Sequence, residues 1–409
     1  MTPVEATSHP RVGGGHTTPR FHVIVTHGTD TLPWCLAYLT YALKRVPCNV
    51  ALVGSQVPLS VGPRRSDAPA NLNGALGVLK RFEPPWVVAV CNRGTGVFSG
   101  SLTKVDKWGS EPFAGHQVAS LKNGHVVWHL RALRLGTASK DWRLVLLRTG
   151  GTVESEASSA GLLEPGGDLV AAYLERHVGR TFGELSVEEI CKYDSVDMNP
   201  ARWERVAGRI AELGRAAGSG SFVDSSFSAN VGVVLLDPWK TENEYRTEFA
   251  ALAGVVLAGY GGGHVSLDPS SGHAVCRVVT DAIREGKPVV LASQSPLGET
   301  DFLYASSVEP LRRGAIAAAG LALPHARTKL AYLLGHKDQI RTGARSAGVG
   351  ERVYLDACFT AGAPFRSVSS RRTYVQLKGY RPLDVDPFRD VSFEDAIARI
   401  SVACFSNWP

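Results

Sequence analysis

The sequence predicts an α/β protein of two units, the larger one a mainly parallel sheet covered by helices on both faces. Three observations predict it. From residue 21 onward, apolar runs of strand length alternate with segments of helical spacing. Two of those runs end in tight glycine turns that present threonine hydroxyls, His27-Gly28-Thr29-Asp30-Thr31 and Thr149-Gly150-Gly151-Thr152. A stretch rich in Gly, Ser and Ala, from Ala217 to Ala229, separates the first alternation from a second one.

The elements follow in order. Residues 1–20 are polar, with Gly13-Gly14-Gly15 and several Pro and Thr, and read as a disordered tail. Phe21 to Val25 is a strand. Leu32 to Arg45 has helical spacing, with Leu32, Cys35, Leu36, Leu39 and Leu43 on one side. Thr29, Asp30 or Thr31 is placed to cap that helix, and Pro33 suits its first turn. Asn49 to Val53 is a second strand. A helix starts in Ser66-Asp67-Ala68-Pro69-Ala70-Asn71 and runs through Leu79. Trp86 to Cys91 is a strand, Val126 to Leu130 is a candidate fourth, and Leu144 to Leu147 follows. After a loop, Asn199 to Leu213 is helical. This first unit spans 21–216, with the linker at 217–229.

The second unit, 230–340, repeats the alternation. Its strands are Val231 to Leu236, Gly254 to Ala258 and Pro288 to Ala292, with a helix near Ala274 to Arg284 and a closing helix from Pro324 to Leu334. Gly259-Tyr260-Gly261-Gly262-Gly263 lacks the spacing and the downstream acid of a dinucleotide fingerprint. Residues 341–409 form an extension of unassigned role, loop-like over Gly343 to Gly350 and helical over Phe393 to Val402.

Composition excludes several classes. A chain of 409 residues with 44% hydrophobic residues can bury a large core. A net charge of +6, spread along the chain, does not argue for nucleic acid. The seven cysteines are scattered, without CxxC spacing, which argues against a disulfide framework and a structural zinc site. They read mostly as buried thiols in a reducing compartment. No apolar run reaches the roughly 20 residues that span a bilayer, and the first twenty residues lack a signal-peptide core. A soluble cytoplasmic protein is the expectation, with no membrane partner.

Two threonine turns at strand carboxyl ends, with a lysine in a third segment, point to threonine-based nucleophilic chemistry, because ligands of open α/β sheets bind at those ends. Each residue also has a plain structural reading. Thr29 and Thr152 alone would be turn and cap residues, Lys104 a surface lysine, and Ser195 a cap for the helix near Asn199.

Together the segments resemble the L-asparaginase/glutaminase family. Gly54-Ser55-Gln56-Val57-Pro58 and Ser66 to Asn71 look like its GAMRP and SADGPxN segments. Leu102-Thr103-Lys104-Val105-Asp106 looks like the segment of its catalytic lysine. Thr149 to Thr152 resembles its TGGT motif, and Asp194 to Pro200 its DSxDM-x-P segment. Ala258 to His264, Pro288 to Gln294 and Gly314-Ala315-Ile316 are similar to its smaller C-terminal domain. In that family the TGGT block comes first, whereas here it comes second. The resemblance therefore implies an asparaginase-like two-domain fold whose N-terminal domain is circularly permuted, with the new joint at Leu130 to Asp141. A domain whose termini lie close together permits such a rearrangement.

The resemblance implies Thr152 as nucleophile, with Thr29, Lys104 and Asp30 as a second catalytic group. Asp30 would also pair with the substrate α-ammonium, Ser195 would bond its α-carboxylate, and Ser55 would sit near the departing nitrogen. Glu299 or Asp301 would answer to the family's substrate-binding acid from a neighbouring subunit. His264 stands at a polar amide position and reads equally as a loop residue or a ligand contact. The implied activity is hydrolysis of an amide side chain to carboxylate and ammonia, through an acyl-threonine, without metal or organic cofactor. The implied partners are a small-molecule amide and further copies of the chain, in a homodimer or homotetramer.

Three departures bear on this. The loop Val153 to Pro165 lacks the tyrosine that activates the family's nucleophile, and has Glu154 and Glu156, with Leu162 or Leu163 near the expected place. Either glutamate could serve as base, or activation could come from the Lys104 side. Val196 replaces a polar residue that contacts the substrate, which weakens the case for free asparagine. Ser55 replaces a small apolar residue. Two further readings stay open: a non-catalytic binding or scaffold protein on the same fold, and an ammonia-producing subunit of an amidotransferase.

Overall fold

The computed structural model of the chain describes residues 21–80, 86–107, 109–122, 125–128, 142–178, 182–271, 274–361, 363 and 368–378. In the first unit the chain forms β1 (Phe21–Thr26), α1 (Leu32–Ala42), β2 (Leu43–Lys44), β3 (Val50–Val53), α2 (Ala68–Leu79), β4 (Val87–Cys91), β5 (Gly96–Lys104), β6 (Phe113–Lys122) and β7 (His125–Trp128). It continues with β8 (Arg143–Gly150), β9 (Ser155–Ala157), β10 (Leu163–Pro165), α3 (Leu169–Val178), β11 (Glu184–Tyr193) and α4 (Pro200–Ala216).

Eight strands make one sheet in the order β11-β8-β1-β3-β4-β5-β6-β7. The first five are parallel, and β4 to β7 pair antiparallel. The wholly apolar strands are the central ones, as expected where helices cover both faces. Val23, Val25, Val145 and Leu147 pack on α1 and α4, while Ile24, Leu144 and Leu146 pack on α2 and α3. Each fully buried Val or Leu of these layers contributes about 1.5–3 kcal/mol of transfer free energy.

The topology fixes where a site can form. From β1 the chain crosses by α1 to β3, on one side. From β8 it crosses by α3 to β11, on the other side. The strand order thus reverses between β8 and β1, whose carboxyl ends lie side by side with Val25 opposite Leu147. Ligands of open α/β sheets bind at such a switch point.

The second unit contains β12 (Phe222–Val223) in its approach, then β13 (Val231–Leu235), α5 (Glu242–Ala250), β14 (Gly254–Gly259), α6 (Val275–Arg284), β15 (Val289–Ser293), α7 (Ala305–Arg312), β16 (Ile316–Ala317) and α8 (Leu323–Gly335). Three more helices follow, α9 (Lys337–Ser346), α10 (Glu351–Thr360) and α11 (Val368–Lys378). The four strands β13 to β16 form a parallel sheet in chain order. α8, α9 and α10 cover one face. α5 and α6, with Tyr374 of α11, cover the other.

Several expectations change. The helix expected to reach Arg45 ends at Ala42, because Leu43–Lys44 pairs antiparallel with Phe222–Val223. The stretch 217–229 therefore makes specific contacts: its Asp224 also accepts hydrogen bonds from Tyr332 Oη and His336 Nε2, each at 2.9 Å. Of the loop expected over 343–350, the first half is helix, since α9 runs to Ser346 and buries Ile340 and Ala344, and residues 347–349 are turn and bend. The strand expected at Val126 to Leu130 is β7, His125–Trp128, at the edge of the sheet, and residues 129 and 130 lie outside the described residues. The expected joint over 130–141, the tail 1–20 and the helix over 393–402 lie outside the described residues. Cys35, Cys91, Cys276 and Cys358 are buried thiols.

Candidate active site

The first threonine turn follows β1. Thr29 is buried, and Asp30 beside it is half-exposed. Lys104 closes β5, and its Nζ donates to Thr29 Oγ1 at 2.9 Å and to Asp30 Oδ1 at 2.7 Å. Partial burial opposes ionisation of Asp30, but the Lys104 ammonium outweighs it, and the carboxyl lies below its usual value. With Asp30 this exposed, the pair adds at most about 1 kcal/mol to stability. Its effect is to hold the Thr29 hydroxyl in place.

Ser195 reaches the same aspartate from the other side. Its Oγ lies 3.4 Å from Asp30 Oδ2, and its carbonyl accepts from Thr31 Oγ1 at 2.7 Å. Ser195 is not the cap of α4: Asn199 Oδ1 fills that role by accepting from Arg202 N at 3.2 Å. Nor does any side chain cap α1, since the Thr31 hydroxyl is spent on Ser195.

The second threonine turn is pressed against the first. A Cβ on Gly151 would lie 2.3 Å from Gly28 N, and a Cβ on Gly28 would lie 2.3 Å from Ser195 Cβ. Gly151 also has φ +78, a conformation that favours glycine. Thr149 ties the two strand ends together, its Oγ1 donating to Thr26 O at 2.5 Å. Thr152 follows at the start of a short 3-10 turn. It is half-buried, and its side chain makes no hydrogen bond among the described residues. Thr152, Gly28 and Ser195 are thereby stacked in adjoining turns.

The glutamates of the next loop are placed differently from one another. Glu154 turns back beneath the TGGT turn. Its Oε1 accepts from Arg148 Nε at 3.0 Å and its Oε2 from Gly150 N at 3.1 Å. Burial pushes its carboxyl up to about 7, against the pull of Arg148 and the Gly150 N–H. Both oxygens are committed to holding the turn. Glu156 is exposed on the β9–β10 hairpin, and Leu162 and Leu163 of that hairpin are exposed as well. Val196 is 69% exposed beside Ser195, an apolar surface at the mouth of the site.

The Ser55 loop is held by side chains of the Ser66 to Asn71 segment. Asp67 accepts from Gln56 N and Val57 N, each at 3.0 Å. Asn71 Nδ2 donates to Gly54 O at 2.8 Å, and its Oδ1 accepts from Gly94 N at 2.6 Å. Spacing alone did not reveal these supports. Ser55 is buried, and its Oγ has no hydrogen-bond partner among the described residues. Such an orphan is costly unless a ligand or water completes it.

Glu299 lies on the loop after β15, in the second unit. It lines a cavity of about 420 Å³ together with Thr103, the neighbour of Lys104, and with Trp34 and His116. His264 Nε2 is 2.7 Å from Asp301 Oδ2, and Ser307 Oγ donates to Asp301 Oδ1 at 2.7 Å. His264 thus ties the loop after β14 to the loop after β15. Within one chain the structure brings together Thr29, Asp30, Lys104 and Ser195, and sets Thr152 in the adjoining turn.

Known proteins share this arrangement of two units. The family model described as asparaginase, N-terminal, matches residues 21–133 and 143–223. The family model described as glutaminase/asparaginase C-terminal domain matches residues 243–345. An L-asparaginase of Thermococcus kodakarensis is 24% identical over 77% of this chain and 70% of its own length. A glutamyl-tRNA(Gln) amidotransferase subunit of Thermofilum pendens is 24% identical over 77% of this chain, which spans 53% of that relative. The solved structure of the thermostable L-asparaginase from Thermococcus kodakarensis has a TM-score of 0.51 at 21% identity, covering 81% of this chain and 73% of its own. It shares the fold. Among the described residues, no helix is long and apolar enough to cross a membrane.

Proposed function

The chain belongs to the glutaminase/asparaginase family, and from that premise we propose that it is an amidohydrolase that releases ammonia from the side-chain amide of asparagine or a related compound. The observation that carries this reading is the Thr29–Lys104–Asp30 group at the β8/β1 switch point, beside the Thr152 turn.

In the proposed reaction, Thr152 Oγ attacks the amide carbon and the C–N bond breaks. The proton lost by the hydroxyl and the one gained by the departing nitrogen pass through Thr29 and Lys104. Because Lys104 donates to Thr29 Oγ1, the Thr29 proton is free to point at the leaving nitrogen. Water then cleaves the acyl-threonine to the carboxylate, so that amide and water give acid and ammonia. Asp30 receives the substrate ammonium and Ser195 its carboxylate. The Ser55 hydroxyl completes its unmade bond near the departing nitrogen. No metal or organic cofactor enters.

The exposed Val196, with Leu162 and Leu163 on the hairpin, supports a substrate carrying an apolar substituent over free asparagine. In this reading Glu299, which lines a cavity with Thr103 within one chain, serves as the substrate-binding acid offered to the site of a neighbouring copy. Exposed Trp239, Leu297, Leu303 and Tyr304 on the second unit support that homodimeric or tetrameric assembly. The order of the motif segments in the chain, with Thr149 to Thr152 following Lys104, supports a permuted N-terminal domain.

A second reading is catalysis lost, or realised only with a partner. It is favoured by the hairpin's missing tyrosine and by the amidotransferase component among the relatives. Ammonia release from L-asparagine, L-glutamine and substituted amides, with Thr152→Ala alongside, separates the two. Turnover that vanishes in the variant supports the amidase. A folded protein inert on every amide supports the second reading.

A further inference from the structure

The second sheet has a cavity at the end away from Glu299 and His264, where β15 and β16 begin. Its volume is about 390 Å³, within the range of small-molecule sites. Its floor is buried and apolar, made by Ile283 of α6, Ile316 of β16, Leu333 of α8, Ile340 of α9 and Leu355 of α10. The rim is charged. Lys287, Lys337, Arg341 and Arg352 line it, against Glu351 alone.

The cations are poorly neutralised. Arg341 takes the nearby carboxylates, with Nε 3.3 Å from Glu351 and Nη1 3.0 Å from Asp338. Arg352 Nη2 donates to the Ile283 carbonyl at 2.6 Å, and Lys287 Nζ to the Phe249 carbonyl. Those bonds fix the two side chains but leave their charges unpaired. Lys337 stands exposed at the start of α9, with no carboxylate bonded to it among the described residues. Positive charge in excess thus surrounds an apolar floor.

We propose that this cavity binds a small organic anion, a carboxylate on a compact apolar body. The body would cover the floor, and the acid group would meet Lys337, Lys287 and Arg352. A zwitterionic amino acid suits it poorly, because the one lining carboxylate is already held by Arg341. α10 supplies both floor and rim, and it lies beyond the residues matched by the family's C-terminal model. The site is therefore separate from the reaction proposed above.

Calorimetric titration of the full chain tests it, with octanoate as probe and octylammonium and inorganic phosphate as comparators. Saturable octanoate binding is expected, weakened by added salt and about tenfold by Lys337→Glu. Arg64→Glu, an exposed charge reversal in the first unit, should leave it unchanged. The thermal transition of each variant checks that the fold is intact. Absence of saturable octanoate binding overturns the proposal. So does equal affinity in Lys337→Glu, or phosphate or octylammonium binding as tightly as octanoate. The readout is binding, so it stands or falls apart from amide turnover.

Discussion

Lys104 Nζ sits 2.9 Å from Thr29 Oγ1, joining the end of β5 to the turn after β1, although several strands and helices intervene in sequence. The same ammonium holds Asp30. Lys104→Met should therefore lower the turnover number by about 10²–10⁴, the usual worth of a positioned proton donor. Its effect on stability should stay within about 1 kcal/mol, because the ion pair is half-exposed. The Asp30 carboxyl should titrate at a higher pH in the variant, readable by NMR. Activity retained in a folded Lys104→Met protein would remove this group from the mechanism.

The stack of Gly151 on Gly28 on Ser195 gives a second expectation. Gly28→Ala drives a methyl into Ser195 Cβ, at 2.3 Å, and should cost about 1–3 kcal/mol together with activity. Ser195→Gly removes the atom in the way. The double variant should regain most of the lost stability while remaining inactive, because Ser195 is the proposed carboxylate contact. Denaturant melts of the four proteins measure this coupling. Additive losses would mean that the two turns do not press on each other.

What the sequence made legible follows from burial. Phe21 to Val25 and Leu144 to Leu147 are central strands buried on both faces, so they read as apolar runs, and their glycine turns mark the strand ends. β11, Glu184–Tyr193, is an edge strand that alternates weakly and is charged over much of its length, so it reads as loop. β5 and β6 carry small and polar residues, with register shifts in their pairing, and give no clear period. The roles of Thr152 and Lys104 come from resemblance. Spacing cannot show that residues 29 and 104 converge. Asp67 and Asn71 belong to a recognisable motif, but what they hold, the Gly54 to Val57 backbone, is visible only in three dimensions.

Acid should weaken the fold above pH 4. Burial depresses His27 to about 4 and His325 to about 3, from 6.5. Both stay neutral when folded, while the unfolded chain takes up their protons below about 6.5. Their stabilisation is complete above pH 6.5 and is lost as pH falls toward those values. Glu154 acts in the opposite sense. Its carboxyl is raised to about 7 from 4.5, so folding gains as pH falls between those values. One histidine is thereby offset, leaving a net loss of about 1.4 kcal/mol per pH unit between pH 6 and 5. Urea melts across that range should show this slope, steeper in Glu154→Gln and flatter in His325→Gln. A flat wild-type profile would mean that the histidines titrate normally.

The last described helix, α11, offers the sharpest test of what the C-terminal extension does for the second unit. Asp356 of α10 and Lys378 of α11 form an ion pair at 3.0 Å, with both side chains almost wholly buried. Tyr374 Oη donates to the same carboxylate at 2.7 Å, and Lys378 Nζ also donates to Ala315 O at 2.7 Å, just before β16. Removing one partner leaves an uncompensated buried charge, which costs about 3–5 kcal/mol. Asp356→Asn should therefore lower stability by that amount, and truncation after residue 367 should lower it further, because it also strips Tyr374 from the core. Replacing both partners, Asp356→Leu with Lys378→Met, should recover much of the loss, since no charge is then left buried alone. Calorimetry that finds Asp356→Asn neutral would make the extension an attachment to the second unit rather than part of its core. A large loss, rescued by the double replacement, would show that the second unit folds around α10 and α11.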